Sequence, residues 1–429
     1  MNLNQLVGFC VLVAWACGNS ATEAQIVQPT VTEVANAEVR RVLPKGEQQE
    51  IIVGAERWDL VLQERQNLRV ACVVNHTSRS GSQHLVDRLL DSGIKVKRVF
   101  APEHGFRGKA SDGEHVKDFV DTKTGLPVVS LYGKTKKPTP EMLADVDLVI
   151  FDIQDVGTRF YTYISTLYYL VEACQETNTE LLVLDRPNPN GHYIDGPMLD
   201  PDYQSFISIA PMPAVHGLTV GEMARYFDHL LQPDHNKKLR PQVIACENYT
   251  VGEPYVLPIP PSPNLPNQAS IYLYPTLCLF EGTVASIGRG TDLPFQVVGH
   301  PSIVDASFTF TPEARPGAAY AKLKGQQCYG LNLQARGTIQ HDSIDWALLT
   351  QIAARTDVPE FIDRARHFDL IAGGALVREA FEAGTLSSFS KSYQNDLTAW
   401  QEATCPWLLY ERIPSLSSWT QCAEFMQAQ

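Results

Sequence analysis

The chain has 429 residues, 44% apolar and 19% charged, with 28 Gly and 28 Pro; these globular proportions exclude disordered and collagen-like chains, and about 100–200 residues per domain suggests two domains, at most three. Lys and Arg total 35 against 48 Asp and Glu, a net charge of −13, which argues against a non-specific nucleic-acid binder with its basic footprint. It does not argue against an acidic small substrate, because a local Arg cluster can oppose the global sign.

In chain order, Leu6–Cys17 (LVGFCVLVAWAC) is a short apolar run, below the roughly 20 residues a membrane-spanning helix needs. It lies at the N-terminus and ends in small residues, so residues 1–24 are expected to hold a signal peptide and the start of a linker that continues over 25–48. No Lys or Arg precedes the run. Cys17-Gly-Asn-Ser offers a lipoprotein acceptor as an alternative. The chain is thus expected to be exported, periplasmic or secreted, or held at a membrane by a lipid on Cys17.

Four apolar runs then each end in a polar cluster. RVACVV (69–74) leads into Asn75-His76-Thr77, and VKRVFA (96–101) into Pro102-Glu103-His104-Gly105. DLVIF (147–151) leads into Asp152-Ile-Gln-Asp155, and ELLVL (180–184) into Asp185-Arg186-Pro-Asn188-Pro-Asn190-Gly191. Such Val/Ile/Leu runs suit strands buried on both faces of a parallel sheet. Helical patterns alternate with them: 82–92 stopping at Gly93, a helix capped by Thr139-Pro140, and 158–177 with apolar residues at helical spacing. Residues 49–245 therefore read as an α/β domain with a mostly parallel sheet. Residues 246–429 read as a smaller α+β domain. Its Pro-dense loop (254–268, with Asn264) is followed by strand-like runs with Gly-rich turns (269–340) and a mainly helical stretch (343–411).

Seven cysteines follow the apolar leader, widely spaced and without a C-x-x-C. Cys72 and Cys174 read as core residues. A disulfide among Cys246, Cys278, Cys328, Cys405 and Cys422 would suit export, but spacing does not pair them.

Ligands of open parallel sheets bind outside the carboxyl ends of the strands, where the four polar clusters converge. Glu103, after a buried strand, is placed to be a general acid whose pKa desolvation would raise, or a loop carboxylate paired with Arg107. Asp152 and Asp155 add the second carboxylate that glycoside hydrolysis needs; Asp155 equally suits the N-terminus of the 158–177 helix. In PAVHGLTVGE, Thr219 and Glu222 form a T-x-x-E capping box, leaving Glu222 a cap or a catalyst and His216 a cleft or a turn residue. Glu281 (FEGT) and Arg289 (GRGT) lie in a Gly-rich strand–turn segment that either reaches a ligand or forms a hairpin surface. His76, His104 and Asp152 could ligate a metal, but no HExxH spacing supports one. No G-x-G-x-x-G or P-loop is present, so no cofactor is expected.

The segments CVVNHTSR, FAPEHGFRG, LYG, DLVIFDIQDVGTRFYTYISTLYYLVEAC, LVLDRPNPNG, GPMLD, HGLTVGE, PPSPNLP, YPTLCLFEGT and GRGT resemble the NamZ-type exo-β-N-acetylmuramidases. The resemblance runs from about residue 57 to 411. It implies a Rossmann-like catalytic domain, a C-terminal auxiliary domain and a cleft between them, without a nucleotide. It implies release of N-acetylmuramic acid from the non-reducing ends of peptidoglycan-derived glycans. Glu103 matches the family's proposed catalytic glutamate; Ala101 stands where the family often has Ser. The lactyl carboxylate of muramic acid calls for a cationic partner, for which Arg107, Arg159, Arg186 and Arg289 are available in motifs. Retaining, inverting and substrate-assisted routes all stay open, as does the oligomeric state. The rival readings are a silent glycan-binding protein and a metal-dependent hydrolase.

Overall fold

The computed structural model describes residues 50–103, 105–107, 118–231, 240–303, 305–416, 419 and 422. The apolar leader, Cys17 and His104 lie outside the described residues. One sheet organises the N-terminal part: β1 (Arg69–Val74), β2 (Lys95–Ala101), β3 (Phe119–Val120), β4 (Pro127–Ser130), β5 (Leu148–Asp152), β6 (Glu180–Leu184) and β7 (Gln242–Ile244). Their order is β3-β4-β2-β1-β5-β6-β7. Every pairing is parallel except that of the edge strand β3 with β4. The expected α/β class is therefore what forms. Strand β1 is buried on both faces: Ala71 and Val73 join one core, Val70, Cys72 and Val74 the other.

Helices α1 (Trp58–Leu62), α2 (Leu85–Asp91), α3 (Pro140–Leu143), α4 (Tyr163–Thr177) and α5 (Val220–Leu231) belong to this part. Thr139 caps α3 as expected, its hydroxyl accepting from the Met142 N–H. The helix expected from residue 158 begins only at Tyr163. The preceding residues are taken by another partner: Thr158 bridges to Val215 and the Arg159 N–H donates to the Ala214 carbonyl at 2.8 Å.

The C-terminal part holds α6 (Gln268–Leu277), which runs on into a 3-10 turn over Cys278–Gly282. This corrects the strand–turn expectation around Glu281. Asn267 and Ser270 form a capping box at its start. Pro275 deprives the Ile271 carbonyl of its helical partner, and the Asn190 side chain donates to that carbonyl at 3.1 Å instead. A three-stranded antiparallel sheet follows, with β8 (Val297–His300), β9 (Phe308–Phe310) and β10 (Cys328–Asn332) in the order β8-β10-β9. The expected helices of 343–411 appear as α7 (Trp346–Arg355), α8 (Ala365–Ala372), α9 (Leu376–Glu382) and α10 (Gln394–Thr404). The larger core cluster is continuous across the two parts, joining Phe151 and Leu167 to Leu273, Phe295 and Phe368. Cys72, Cys174, Cys246, Cys278 and Cys328 are buried and take part in no disulfide; Cys405 and Cys422 form one.

Candidate active site

From β1 the sheet grows towards β2 on one side and β5 on the other, so a topological switch point lies beside the loops that follow these strands. The turn after β2 carries Glu103. Gly105, at φ +75°, closes it by donating its N–H to the Pro102 carbonyl at 3.0 Å. Phe106, buried, packs edge-on against His84 at 4.9 Å. Arg107 lies over the Phe106 ring and donates to both Asp121 oxygens at 3.2 and 2.8 Å. The expected substrate partner Arg107 is thereby committed to Asp121, whose carboxyl it holds below its ordinary pKa, and it pins the turn that presents Glu103.

Glu103 opens onto a cavity of about 210 Å³ between the carboxyl edge of the sheet and the C-terminal part. One wall is Phe160–Tyr163. From it the Thr162 hydroxyl donates to Glu103 Oε2 at 2.6 Å and the Tyr163 hydroxyl to the Glu103 carbonyl at 3.4 Å. Tyr132, Phe206 and Ile207 form a second wall, and Ser262, Asn264 and Leu265 of the Pro-rich loop a third. The Asn264 amide donates to the Gly317 carbonyl at 2.8 Å, which holds that loop in place. Tyr274, Phe295, Glu281 and Arg289 face them from the C-terminal part, with His367 and Ile371 of α8 alongside. Arg289 pairs with Glu281 at 2.5 Å and lies 4.9 Å from the Phe295 ring centre. Behind Glu281, Lys322 Nζ donates to the carbonyls of Phe280, Glu281 and Thr283, and Arg364 donates to the Glu281 carbonyl. Burial pushes the Lys322 ammonium down to about 8. Arg289 thus lines one side of the cavity, with Lys322 and Arg364 behind Glu281, while Glu103 stands beside the aromatic wall of Phe160–Tyr163.

The other expected site residues that the structure describes do not line this cavity. Asp152 is fully buried and held in a two-point pair by Arg186, at 2.6 and 3.0 Å. Asp155 accepts from the Gly157 N–H at 2.7 Å, and burial raises its carboxyl to about 7. Because α4 starts at Tyr163, Asp155 is not in its first turn. His216 is buried with Nε2 4.0 Å from Asp155, and desolvation lowers its pKa to about 3. Its Nδ1 accepts from the Leu218 N–H at 3.2 Å, a turn role.

Arg159 is fully buried, its guanidinium bonded to protein carbonyls rather than turned to the cavity. Asn188 donates to the Leu218 carbonyl at 2.9 Å and Asn190 to Val156 and Ile271, so both join buried loops. Asn75 accepts from the Thr77 N–H and hydroxyl; His76 donates to the Pro260 carbonyl at 2.8 Å, tying down the Pro-rich loop. Thr219 and Glu222 form the expected capping box, and Glu222 also pairs with Arg412 at 2.9 Å, which makes it a cap. No group of three metal-ligating side chains stands together among the described residues. Sequence reasoning missed Thr162, Phe206 and His367. Only Thr162 had a signal, a polar residue in an aromatic run (FYTY) beside the expected site.

Two family models match, those of the N-terminal and C-terminal parts of the exo-β-N-acetylmuramidase NamZ, over residues 70–269 and 272–410. The peptidoglycan β-N-acetylmuramidase NamZ of Bacillus subtilis (strain 168) is 38% identical over 335 residues, covering 74% of this chain and 80% of that protein. Two crystal structures of DUF1343 family proteins from Bacteroides fragilis share the fold. One has a TM-score of 0.76 at 39% identity, covering 85% of this chain and 100% of the other. The second has a TM-score of 0.70 at 28% identity, covering 84% and 99%.

Proposed function

The chain belongs to the exo-β-N-acetylmuramidase NamZ family, and on that premise we propose that it is a glycosidase releasing N-acetylmuramic acid from the non-reducing ends of peptidoglycan fragments. The observation that carries the reading is one aromatic-walled cavity holding both Glu103, hydrogen-bonded by Thr162, and Arg289. Glu103 is the general acid that protonates the departing glycosidic oxygen, a task worth about 10²–10⁴ in rate for a positioned group. Arg289 takes the lactyl carboxylate, exchanging part of its contact with Glu281 for the substrate. A charge-assisted contact of this kind separates muramides from N-acetylglucosaminides, which lack the carboxylate. Aromatic rings suit the apolar faces of a sugar, and a cavity of about 210 Å³ suits one terminal residue rather than a long groove.

We also propose that the chain is exported. The apolar leader and the Cys405–Cys422 disulfide support this, because disulfides persist in oxidising compartments. A lipid on Cys17 would add a membrane anchor. The decisive experiment incubates the protein with the disaccharide MurNAc-GlcNAc and identifies the sugars released by mass spectrometry. Free N-acetylmuramic acid is expected, with no cleavage of chitobiose. Tight binding without turnover would replace the reading with that of a glycan-binding protein.

A further inference from the structure

Arg159 is 0% exposed, and burial lowers its pKa to about 9. Its five N–H donors are all used. Nε donates to the Ser208 hydroxyl at 3.2 Å, Nη1 to the carbonyls of Pro197 and Met212 at 2.7 and 2.8 Å, and Nη2 to those of Ile371 and Ala372 at 3.3 and 2.8 Å. These acceptors belong to two separate segments, and each carries a piece of the cavity. Pro197 and Met212 bracket the excursion that brings Phe206 and Ile207 to one wall, while Ile371 and Ala372 end α8, whose His367 and Ile371 form another. Arg159 itself directly precedes the Phe160–Tyr163 wall that holds Glu103 through Thr162.

We propose that Arg159 is a positioning residue: one guanidinium fixes the spacing of three cavity walls, and so sets how well the terminal sugar is held opposite Glu103. This rests on reading the cavity as the muramidase site. The choice of a cation follows from the acceptors. The last carbonyls of α8 carry the negative end of its helix dipole, so a buried positive charge is matched by oriented carbonyls instead of by a carboxylate. The choice of Arg over Lys follows from geometry: a planar fork reaches four carbonyls and a hydroxyl in different directions, which a single ammonium with three donors cannot do. The backbone makes room for it, since at Gly373 (φ +88°) a Cβ would lie only 2.1 Å from Arg159 Nη2. Ser208 extends the tie, donating its own hydroxyl to the Leu370 carbonyl at 3.1 Å.

The test compares wild type with Arg159→Lys and with the milder Ser208→Ala, which keeps the guanidinium. In the folded Lys variant, KM for MurNAc-GlcNAc should rise about tenfold or more while kcat falls less, because a misplaced wall weakens holding while Glu103 and Thr162 stay intact. Ser208→Ala should raise KM about threefold. Amide hydrogen exchange should quicken in residues 197–212 and 371–374 of both variants without a matching rise elsewhere. A KM within about twofold of wild type in folded variants overturns the proposal. If Arg159→Lys fails to fold, Ser208→Ala alone decides on the same criteria. If the wild-type protein releases no N-acetylmuramic acid, the functional reading is what fails; the exchange measurement still judges the tie, and unchanged exchange in both segments overturns it.

Discussion

Replacing Arg289 with Ala tests how the site tells muramic acid from glucosamine. Arg289 pairs with Glu281 at 2.5 Å, the two side chains being 20% and 21% exposed. Losing a charge-assisted contact costs about 1.5–3 kcal/mol, which is ~10–150-fold in kcat/KM on muramides at about 1.4 kcal/mol per tenfold. A second effect pushes the loss towards the upper end. Without the guanidinium, the Glu281 carboxylate faces the incoming lactyl carboxylate, and Lys322 and Arg364 donate to the backbone carbonyl of Glu281 rather than to its side chain. An N-acetylglucosaminide carries no carboxylate and should change less than about threefold. Removing Glu281 as well should restore part of the muramide activity by lifting the repulsion. Arg107→Ala serves as the contrast: acting through the Glu103 turn, it should slow both substrates alike. The assay is kcat/KM on matched aryl β-muramide and β-glucosaminide substrates. An Arg289→Ala enzyme that keeps the wild-type preference within about threefold would refute carboxylate recognition by this residue.

Glu103→Gln should lower kcat on an unactivated disaccharide by about 10²–10⁴ with unfolding curves unchanged; near-normal turnover would remove Glu103 from the chemistry. Asn190→Ala leaves the carbonyls of Val156 and Ile271 without their donor and should cost about 2–4 kcal/mol in urea unfolding; a cost below about 0.5 kcal/mol would show that Pro275 needs no such relief. Burial raises Asp155 from 3.8 to about 7, so the folded state binds this proton more tightly than the unfolded chain does. The resulting stability is present below pH 4 and lost as pH rises to 7. Asp155→Asn should therefore gain on wild type between pH 4 and pH 8, by on the order of 2–4 kcal/mol; a pH-independent difference in chemical unfolding would contradict this.

Strands β1, β5 and β6 were legible because strands buried on both faces must be continuous apolar runs, as RVACVV and ELLVL are; β2, exposed at Lys95 and Lys97, was legible from its buried end, Val99–Ala101. Strands β4 and β7 were not, being four and three residues long and lacking a run of their own. The segment 268–282 was misread because IYLYP combines strand-prone residues with a helix-breaking Pro. The carbonyl that Pro275 leaves free is satisfied by the amide of Asn190, about eighty positions away, and no local spacing reveals that. The site divides in the same way. Glu103, Asn264, Glu281 and Arg289 were found from their motifs and do line the cavity. The motif arginines 107, 159 and 186 look alike in sequence, yet they are directed at Asp121, at backbone carbonyls and at Asp152. Whether a guanidinium faces a cleft or a core is set by segments that meet only on folding, which also hid Phe206 and His367.

Every residue of α6 from Gln268 to Leu277 is buried, and the two family matches abut within it, at 269 and 272. Chimeras exchanging the two parts between relatives, if cut at that seam, would sever a helix whose whole circumference is engaged and whose Pro275 depends on Asn190 from the other side. A crossover in the Pro-rich loop at 254–262, upstream of the Asn267 cap, would keep the helix and its cap together. The Asn190 contact and the Arg159 carbonyl tie, which both cross that junction, then define the positions that must be exchanged as sets for a hybrid to fold, whereas Asn264 and Gly317 travel together on one side of it.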